Sequence, residues 1–147
     1  MVQPRSIADQ EQVVDTMIAL TRLSNLHRAI VAGSDSMSLY LSLRRRGFLR
    51  AATPATCPLP RRQHAVGLIA GENSLTGIEA ALAQVSPFLS SSAAIAILIR
   101  SHEGELCLKI RKRLEQMGFR IEAGTVREHG SAVSAQRFEL KPVSRVA

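Results

Sequence analysis

The stretch Arg28-Ala-Ile-Val-Ala-Gly-Ser-Asp-Ser-Met37 decides the fold of this chain. It begins with the apolar residues Ala29 to Ala32, turns at Gly33-Ser-Asp35, and enters a helical pattern at Ser36. A short apolar run before a glycine turn and a helix start is typical of a buried parallel strand and its crossover helix. Open α/β sheets bind ligands where such a strand ends and the helix begins. The sequence therefore indicates this turn as the place for a ligand.

The residues before this unit predict an amphipathic helix. Apolar residues recur at helical spacing between Ile7 and Leu26, and Ser6 stands where it can cap the first turn. We expect this helix to pack on the edge or one face of the sheet, or on a second subunit. The chain is accordingly divided into an N-terminal helix (1–27), one domain (28–141) and a short tail (142–147).

The residues after the unit alternate between apolar runs and helical patterns. The segment from Pro54 to Gln63, with its prolines, is too short to hold another helix and strand. The alternation predicts an α/β fold: a mostly parallel sheet of about six strands, covered by helices on both faces, with a C-terminal antiparallel hairpin. The expected strands are 29–32, 48–53, 64–70, 93–99, 119–126 and 132–140, and the expected helices after the first are 36–46, 75–85 and 105–117.

The amino-acid composition of the chain limits the classes of function that we expect. The 147 residues suffice for one domain, and hydrophobic residues make up 46% of them. Aromatic residues are only 3%, which argues against surfaces that stack bases or sugars on rings. The net charge of +7 either attracts anions such as phosphate or nucleic acid, or serves solubility alone.

Cysteine usage and hydropathy suggest a cytoplasmic protein. Cys57 and Cys107 are far apart and have no metal-ligand spacing, so we expect reduced thiols and no metal site. No apolar run approaches the ~20 residues of a membrane span. The N-terminus carries no apolar signal region followed by a cleavage site. We therefore expect a cytoplasmic protein without a membrane partner.

The order of elements resembles that of the class I S-adenosylmethionine-dependent methyltransferases over roughly residues 26–140. Ile30-Val-Ala-Gly-Ser-Asp35 occupies the place of the family's glycine-rich motif, and Leu114-Glu-Gln-Met-Gly-Phe119 leads into a final hairpin as it does in the family. The resemblance implies a single Rossmann-like three-layer domain that binds S-adenosylmethionine at the turn after the first strand. It places cofactor contacts at Gly33, Ser34, Asp35 and Ser36 and the substrate side at Glu72 and Asn73, and it leaves the catalytic residue unknown.

The sequence departs from the family pattern in three places. Only Gly33 stands in the register of the family motif, which usually runs acidic-x-Gly-x-Gly-x-Gly. The predicted second strand ends in Arg50-Ala-Ala-Thr-Pro54, without the carboxylate that the family uses to bind the ribose hydroxyls. The proline segment stands in place of the third strand and its helix, which normally help to hold the adenine. These departures favour, narrowly, a non-catalytic member over a working enzyme.

Several candidate residues also have a purely structural interpretation. Asp35 at a helix start can simply cap the helix, and Glu72-Asn73 can form a polar turn before a helix capped by Ser74. His102 and Glu103 follow the strongest predicted strand, but adjacent residues in a turn usually point apart. His64 is expected to be structural and His129 solvated. No pattern typical of a metal site or a catalytic triad is present.

Arginines are concentrated at the end of the second predicted helix and in the proline segment. Arg44-Arg-Arg46 is explained by the favourable interaction of cations with a helix C-terminus. With Arg61-Arg62 and the cations of 109–113, it can also form a basic patch for nucleic acid. Three hypotheses follow: a methyltransferase-like enzyme, a non-catalytic relative that acts through binding or homodimer assembly, and a nucleic-acid-binding module.

Overall fold

The computed structural model describes residues 7–55, 61–99, 104–127 and 130–137. Helices separate most of the strands within these ranges, and a 3-10 turn over Ser86–Phe88 precedes the fourth strand. The helices are α1 (Ile7–Thr21), α2 (Ser36–Arg45), α3 (Leu75–Val85) and α4 (Gly104–Gln116). The strands are β1 (Ala29–Ala32), β2 (Ala51–Ala52), β3 (His64–Glu72), β4 (Leu89–Ile99), β5 (Phe119–Arg127) and β6 (Gly130–Arg137).

The six strands form one sheet in the order β2-β1-β3-β4-β6-β5. The first four are parallel, as in the pairing of Val31 with Leu68, and β6 then pairs antiparallel with both β4 and β5. The predicted mixed sheet with its C-terminal antiparallel hairpin is therefore confirmed. Because β1 and β3 are neighbours, the turn after β1 faces the end of β3.

Helices cover both faces of the sheet, and each face has its own apolar core. Successive residues of β1 point to opposite faces, so that Ile30 belongs to the core under α3 and α4 and Val31 to the core under α1 and α2. Val14 and Met17 anchor α1 on the second of these cores, and Met17 is fully buried there. The sequence predicts this helix on the edge of the sheet, on one face of the sheet, or on a second subunit, and the structure shows it packed on one face of the sheet.

The first helix ends at Thr21, five residues earlier than the predicted Leu26. Arg22 has a φ of +53°, and the Leu23 N–H donates to the Ile18 carbonyl at 3.1 Å. This is the bonding pattern of a Schellman motif, which usually has glycine at the left-handed position. The prediction was wrong because arginine gives no sequence signal for such an end.

The second strand contains only Ala51 and Ala52, instead of the predicted 48–53. The Phe48 N–H donates to the Leu43 carbonyl at 3.0 Å, while Gly47 has a φ of +93°. The backbone at Phe48 therefore terminates α2 and is unavailable to the sheet. Only two residues remain to pair with β1 at this edge of the sheet.

The two central strands are longer than predicted. Strand β3 continues through Gly71 to Glu72, so that part of the expected turn belongs to the strand. Strand β4 begins at Leu89, which is fully buried and pairs with His64, four residues before the predicted start. Between the pairs His64–Leu89 and Val66–Ala94 the register shifts, and this bulge absorbs the serines that the sequence presents as a linker.

No helix in the described ranges is long and apolar enough to span a membrane.

Candidate functional site

The turn after β1 lies directly against the end of β3. Gly33 has a φ of +101°, which favours glycine, and a Cβ at this position would lie 2.1 Å from the Ala70 carbonyl oxygen. Gly71 has a φ of +93°, and a Cβ there would lie 2.5 Å from the Asp35 backbone nitrogen. Two glycines thus let the two strand ends approach more closely than any other residue would allow.

Three hydrogen bonds join these strand ends. The Ser34 N–H donates to Glu72 Oε1 at 3.0 Å, and the Ser34 hydroxyl donates to the Gly71 carbonyl at 2.6 Å. The Asp35 N–H donates to the Ala70 carbonyl at 3.2 Å. The structure therefore brings Ser34, expected to contact a cofactor, together with Glu72, expected on the substrate side, and bonds one to the other.

The Glu72 carboxylate lies between the first turns of two helices. One oxygen accepts from Ser34, just before α2, and the other would lie 2.3 Å from a Cβ placed on Gly77 in α3. Negative charge is favourable at a helix N-terminus, because the first N–H groups point towards it. Glu72 therefore occupies the kind of position in which an anionic ligand group binds in other proteins.

The backbone donors of the turn are already used within the chain. The N–H groups of Ser34, Asp35 and Ser36 bond respectively to the Glu72 carboxylate, the Ala70 carbonyl and the Gly33 carbonyl. A ligand that uses the donors of Ser34 or Asp35 must therefore displace a group of the protein itself.

Asp35 and Ser74 are both predicted as helix caps, and of these two residues Ser74 makes the capping hydrogen bond. Asp35 occupies the N-cap position of α2, but its side chain makes no capping hydrogen bond to the helix. The Ser74 side chain accepts from the Gly77 N–H at 3.1 Å, which confirms this residue as the cap of α3. Asn73 is exposed immediately before it.

Of the remaining histidine and cysteine candidates, His64 and Cys107 lie within the described residues. His64 is fully buried at the start of β3, with its ring edge-on to Phe88, and burial lowers its pKa below the ordinary value. His102, Glu103, His129 and Cys57 lie outside the described residues. Within the described ranges no group of three or more potential metal ligands comes together.

The arginine triplet does not act as a unit. Arg46 forms ion pairs with Glu11 and Asp15 of α1. Arg44 lies over the Tyr40 ring at 5.6 Å, within the range of a cation–π contact. Arg44-Arg-Arg46 lies at the C-terminal end of α2 on one face of the sheet, whereas the cations of 109–113 belong to α4 on the opposite face.

The sequence places Gly71 with Glu72 and Asn73 where the resemblance implies substrate or catalytic residues, but it does not predict the close approach of Gly71 to Asp35. The positive φ of Gly71 lets the end of β3 pass against Asp35, and its carbonyl accepts the Ser34 hydroxyl. The available signal was a glycine directly after an apolar run, the same signal that identified Gly33 after β1.

Comparison with known proteins identifies the fold. No protein-family model matches the sequence, and no curated protein matches it. Among solved structures, a precorrin-6y C5,15-methyltransferase from Geobacter metallireducens is similar with a TM-score of 0.61 and 12% identity, over 95% of this chain and 94% of that one. A 1,6-didemethyltoxoflavin-N1-methyltransferase from Burkholderia thailandensis, with S-adenosylhomocysteine bound, has a TM-score of 0.60 and 11% identity, over 90% and 79% of the two chains.

The chain has the class I methyltransferase fold. The fold by itself does not determine the reaction. The cyclase SpnF is also similar to this chain, with a TM-score of 0.59 and 10% identity over 87% of this chain and 80% of that one.

Proposed function

We propose that this chain is a methyltransferase-like protein that does not catalyse methyl transfer and acts through binding. One observation carries the proposal: the Glu72 carboxylate and the Ala70 carbonyl already accept the N–H groups of Ser34 and Asp35. The ligand position at the turn after β1 is thus filled by the protein's own side chain.

The residues present do not fit S-adenosylmethionine at this turn. The methionine part of that cofactor carries a carboxylate and an ammonium group. Glu72 occupies the donors that the cofactor's carboxylate would need and repels it, so only the ammonium group is attracted to Glu72. The end of β2 offers Ala52 and Thr53 where the resemblance implies an acidic residue for the ribose. Both features weaken the cofactor contacts, and no methyl-transfer step is assigned to any residue.

The alternative is a chain that binds S-adenosylmethionine after Glu72 has moved aside. It is favoured by the exposed position of the Ser34–Glu72 bond, which can open without disturbing a core. It also agrees with the bound S-adenosylhomocysteine of the Burkholderia structure. In that case Gly33, Ser34 and Asp35 would hold the cofactor, and Asn73 would lie on the substrate side.

Calorimetric titration with S-adenosylmethionine and S-adenosylhomocysteine distinguishes the proposal from this alternative. If the proposal is correct, neither ligand gives heat with the natural chain. Neither ligand then raises the melting temperature of the natural chain, even at concentrations that would stabilise a protein that binds the ligand. The Glu72→Gln variant keeps the side-chain shape and removes its charge. Weak binding that appears only in this variant would identify the Glu72 charge as the obstacle.

Binding by the natural chain would remove the observation that carries the proposal, because the ligand position would then be open to the cofactor. The decisive result is micromolar affinity that Asp35→Ala weakens, because it would make the turn a working cofactor site. Glu79→Ala is the matched control, since it removes an exposed carboxylate from α3, outside the turn.

A further inference from the structure

A row of exposed apolar side chains lies on the outside of α2 and continues onto neighbouring turns. Met37 and Leu41 are one helical turn apart on α2, Leu49 follows the C-terminal end of α2, and the Leu26 carbonyl accepts a hydrogen bond from Arg50 of the same region. Their exposed fractions range from 48% to 71%. Single exposed leucines are common on protein surfaces. Here, however, four of the five large apolar residues that are exposed in the described ranges belong to this region.

Three arginines bond to the backbone carbonyls of three of these residues. Arg44 donates to the Leu49 carbonyl at 3.1 Å, and Arg50 donates to the Leu26 carbonyl at 3.2 Å. Arg45 donates to the Leu41 carbonyl at 3.4 Å. The arginine–leucine face consists of Leu26, Met37, Leu41, Arg44, Arg45, Leu49 and Arg50.

This face carries positive charge that is available to a partner. Within the described part of the chain, the guanidinium groups of Arg44, Arg45 and Arg50 bond to backbone carbonyls and not to carboxylates. Each guanidinium has five N–H donors and uses one of them in these bonds. The neighbouring Arg46 differs, because it pairs with Glu11 and Asp15 of α1.

We propose that the arginine–leucine face binds an acidic amphipathic helix of a partner protein. Exposed apolar residues one turn apart on α2 form a ridge against which a second helix packs. Carboxylates beside the apolar stripe of that helix would accept charge-assisted hydrogen bonds from Arg44, Arg45 and Arg50. This inference rests on the proposed function, since a methyltransferase fold without its chemistry acts through its surfaces.

Other occupants fit the face less well. Nucleic acid binds mainly through cations on its phosphates and makes little use of exposed leucines. A second copy placed symmetrically on this face would bring the two sets of arginines together, and like charges repel. Strand addition at β2 has only Ala51 and Ala52 to pair with.

The test uses a fluorescein-labelled helical peptide of about 18 residues, with leucines on one face and glutamates on the others. Fluorescence anisotropy is expected to show saturable binding to the natural chain. The Arg44→Glu/Arg45→Glu variant is expected to weaken binding about tenfold or more, and Leu41→Ser/Leu49→Ser to weaken it by a similar factor, because charge and apolar contact are both required. All four positions are exposed, so circular dichroism should show folded variants.

Two matched controls accompany these variants. Lys112→Glu/Arg113→Glu makes the same charge change on exposed residues of α4, on the opposite face of the sheet, and should leave peptide binding unchanged. A peptide of the same composition with its leucines scattered around the helix should bind at least about tenfold more weakly, because it has no apolar stripe.

Three results would overturn the proposal: no binding, equal binding of the two peptides, or tighter binding of an oligonucleotide that survives Leu41→Ser/Leu49→Ser. A dimer seen by sedimentation velocity and lost in the same leucine variant would also overturn it and assign the face to a second copy. The calorimetric test concerns the turn after β1, which none of these substitutions touches. The two proposals can therefore fail separately.

Discussion

At the scale of the single residue, Gly33 has two separate reasons to be glycine. Its φ of +101° is unfavourable for other residues, and a side chain would collide with the Ala70 carbonyl. Gly47 has a similar φ of +93°, but a Cβ there would meet nothing within 4 Å. A comparison of Gly33 with Gly47 therefore separates the effect of backbone conformation on stability from the effect of steric contact.

We predict that Gly33→Ala lowers the free energy of unfolding by about 2–4 kcal/mol, the sum of a left-handed backbone and an overpacked contact. Gly47→Ala should cost about 1 kcal/mol, from the backbone alone. Urea denaturation of both variants measures the difference. Equal losses would mean that the strand ends can move apart at no cost.

His64 makes the stability of the chain depend on pH. Burial, and to a lesser extent the charge of Arg28, lower its pKa below the ordinary value of 6.5 in the folded state. The unfolded chain then binds the proton more readily, so the free energy of unfolding falls as the pH drops below 6.5 and goes on falling until the folded-state pKa is passed.

The measurement is a series of urea denaturations between about pH 7.5 and about pH 5.5, the range in which histidine titrates. The His64→Leu variant should lose less stability over this range than the natural chain, because it has no imidazole to protonate at this position. The difference between the two slopes is the quantity of interest, since carboxylates contribute to both. Parallel slopes would show that His64 becomes protonated in the folded state at no cost.

At the scale of the element, Arg46 fastens α2 to α1. It pairs with Glu11 and Asp15 and also donates to the Glu11 carbonyl at 3.2 Å. We predict that Arg46→Ala costs about 1 kcal/mol of stability, the upper range for half-exposed ion pairs. Raising the ionic strength to about 1 M should reduce that loss, because salt screens such pairs.

Arg45→Ala is the control for this prediction. Arg45 is exposed on the same turn, and its hydrogen bond to Leu41 is long, at 3.4 Å. Its removal should change the free energy of unfolding by less than about 0.5 kcal/mol. If Arg46→Ala and Arg45→Ala lower the free energy of unfolding by the same amount, α1 is held in place by its apolar residues alone.

Elements with strong local signals could be predicted from the sequence. The apolar runs of β1 and β3, and Gly118 after α4, are local features, and right-handed crossovers set most of the strand order. The end of α1 could not be predicted, because Arg22 adopts a conformation that the sequence does not mark. The Ser34–Glu72 bond could not be predicted either, since its partners are 38 residues apart.

At the scale of the whole molecule, one sheet supports two apolar cores. The central strands contribute residues to both, as Ile69 and Leu68 of β3 illustrate. Met17 lies fully buried in one of these cores, so a charged residue at this position would disrupt folding. Neither core can come apart without exposing strands that the other needs.

We therefore predict that both faces unfold in one cooperative transition. Tyr40, the only tyrosine of a chain without tryptophan, reports on the α2 face through its fluorescence. Cys107, half-buried in α4, reports on the other face through its reaction with a thiol reagent in a Cys57→Ser background. The two urea midpoints should coincide, as two-state unfolding requires. Separate midpoints would show that the layers open independently.

The contact between Gly33 and Ala70 also has a consequence for the order of events during synthesis. Every hydrogen bond described here between the β1 turn and the end of β3 has its acceptor at Ala70, Gly71 or Glu72. A nascent chain that has released β1 and α2 from the ribosome still lacks these acceptors. The turn can therefore become ordered only after translation has passed β3, so the region that looks like a ligand site is among the later parts of the first half to acquire its shape.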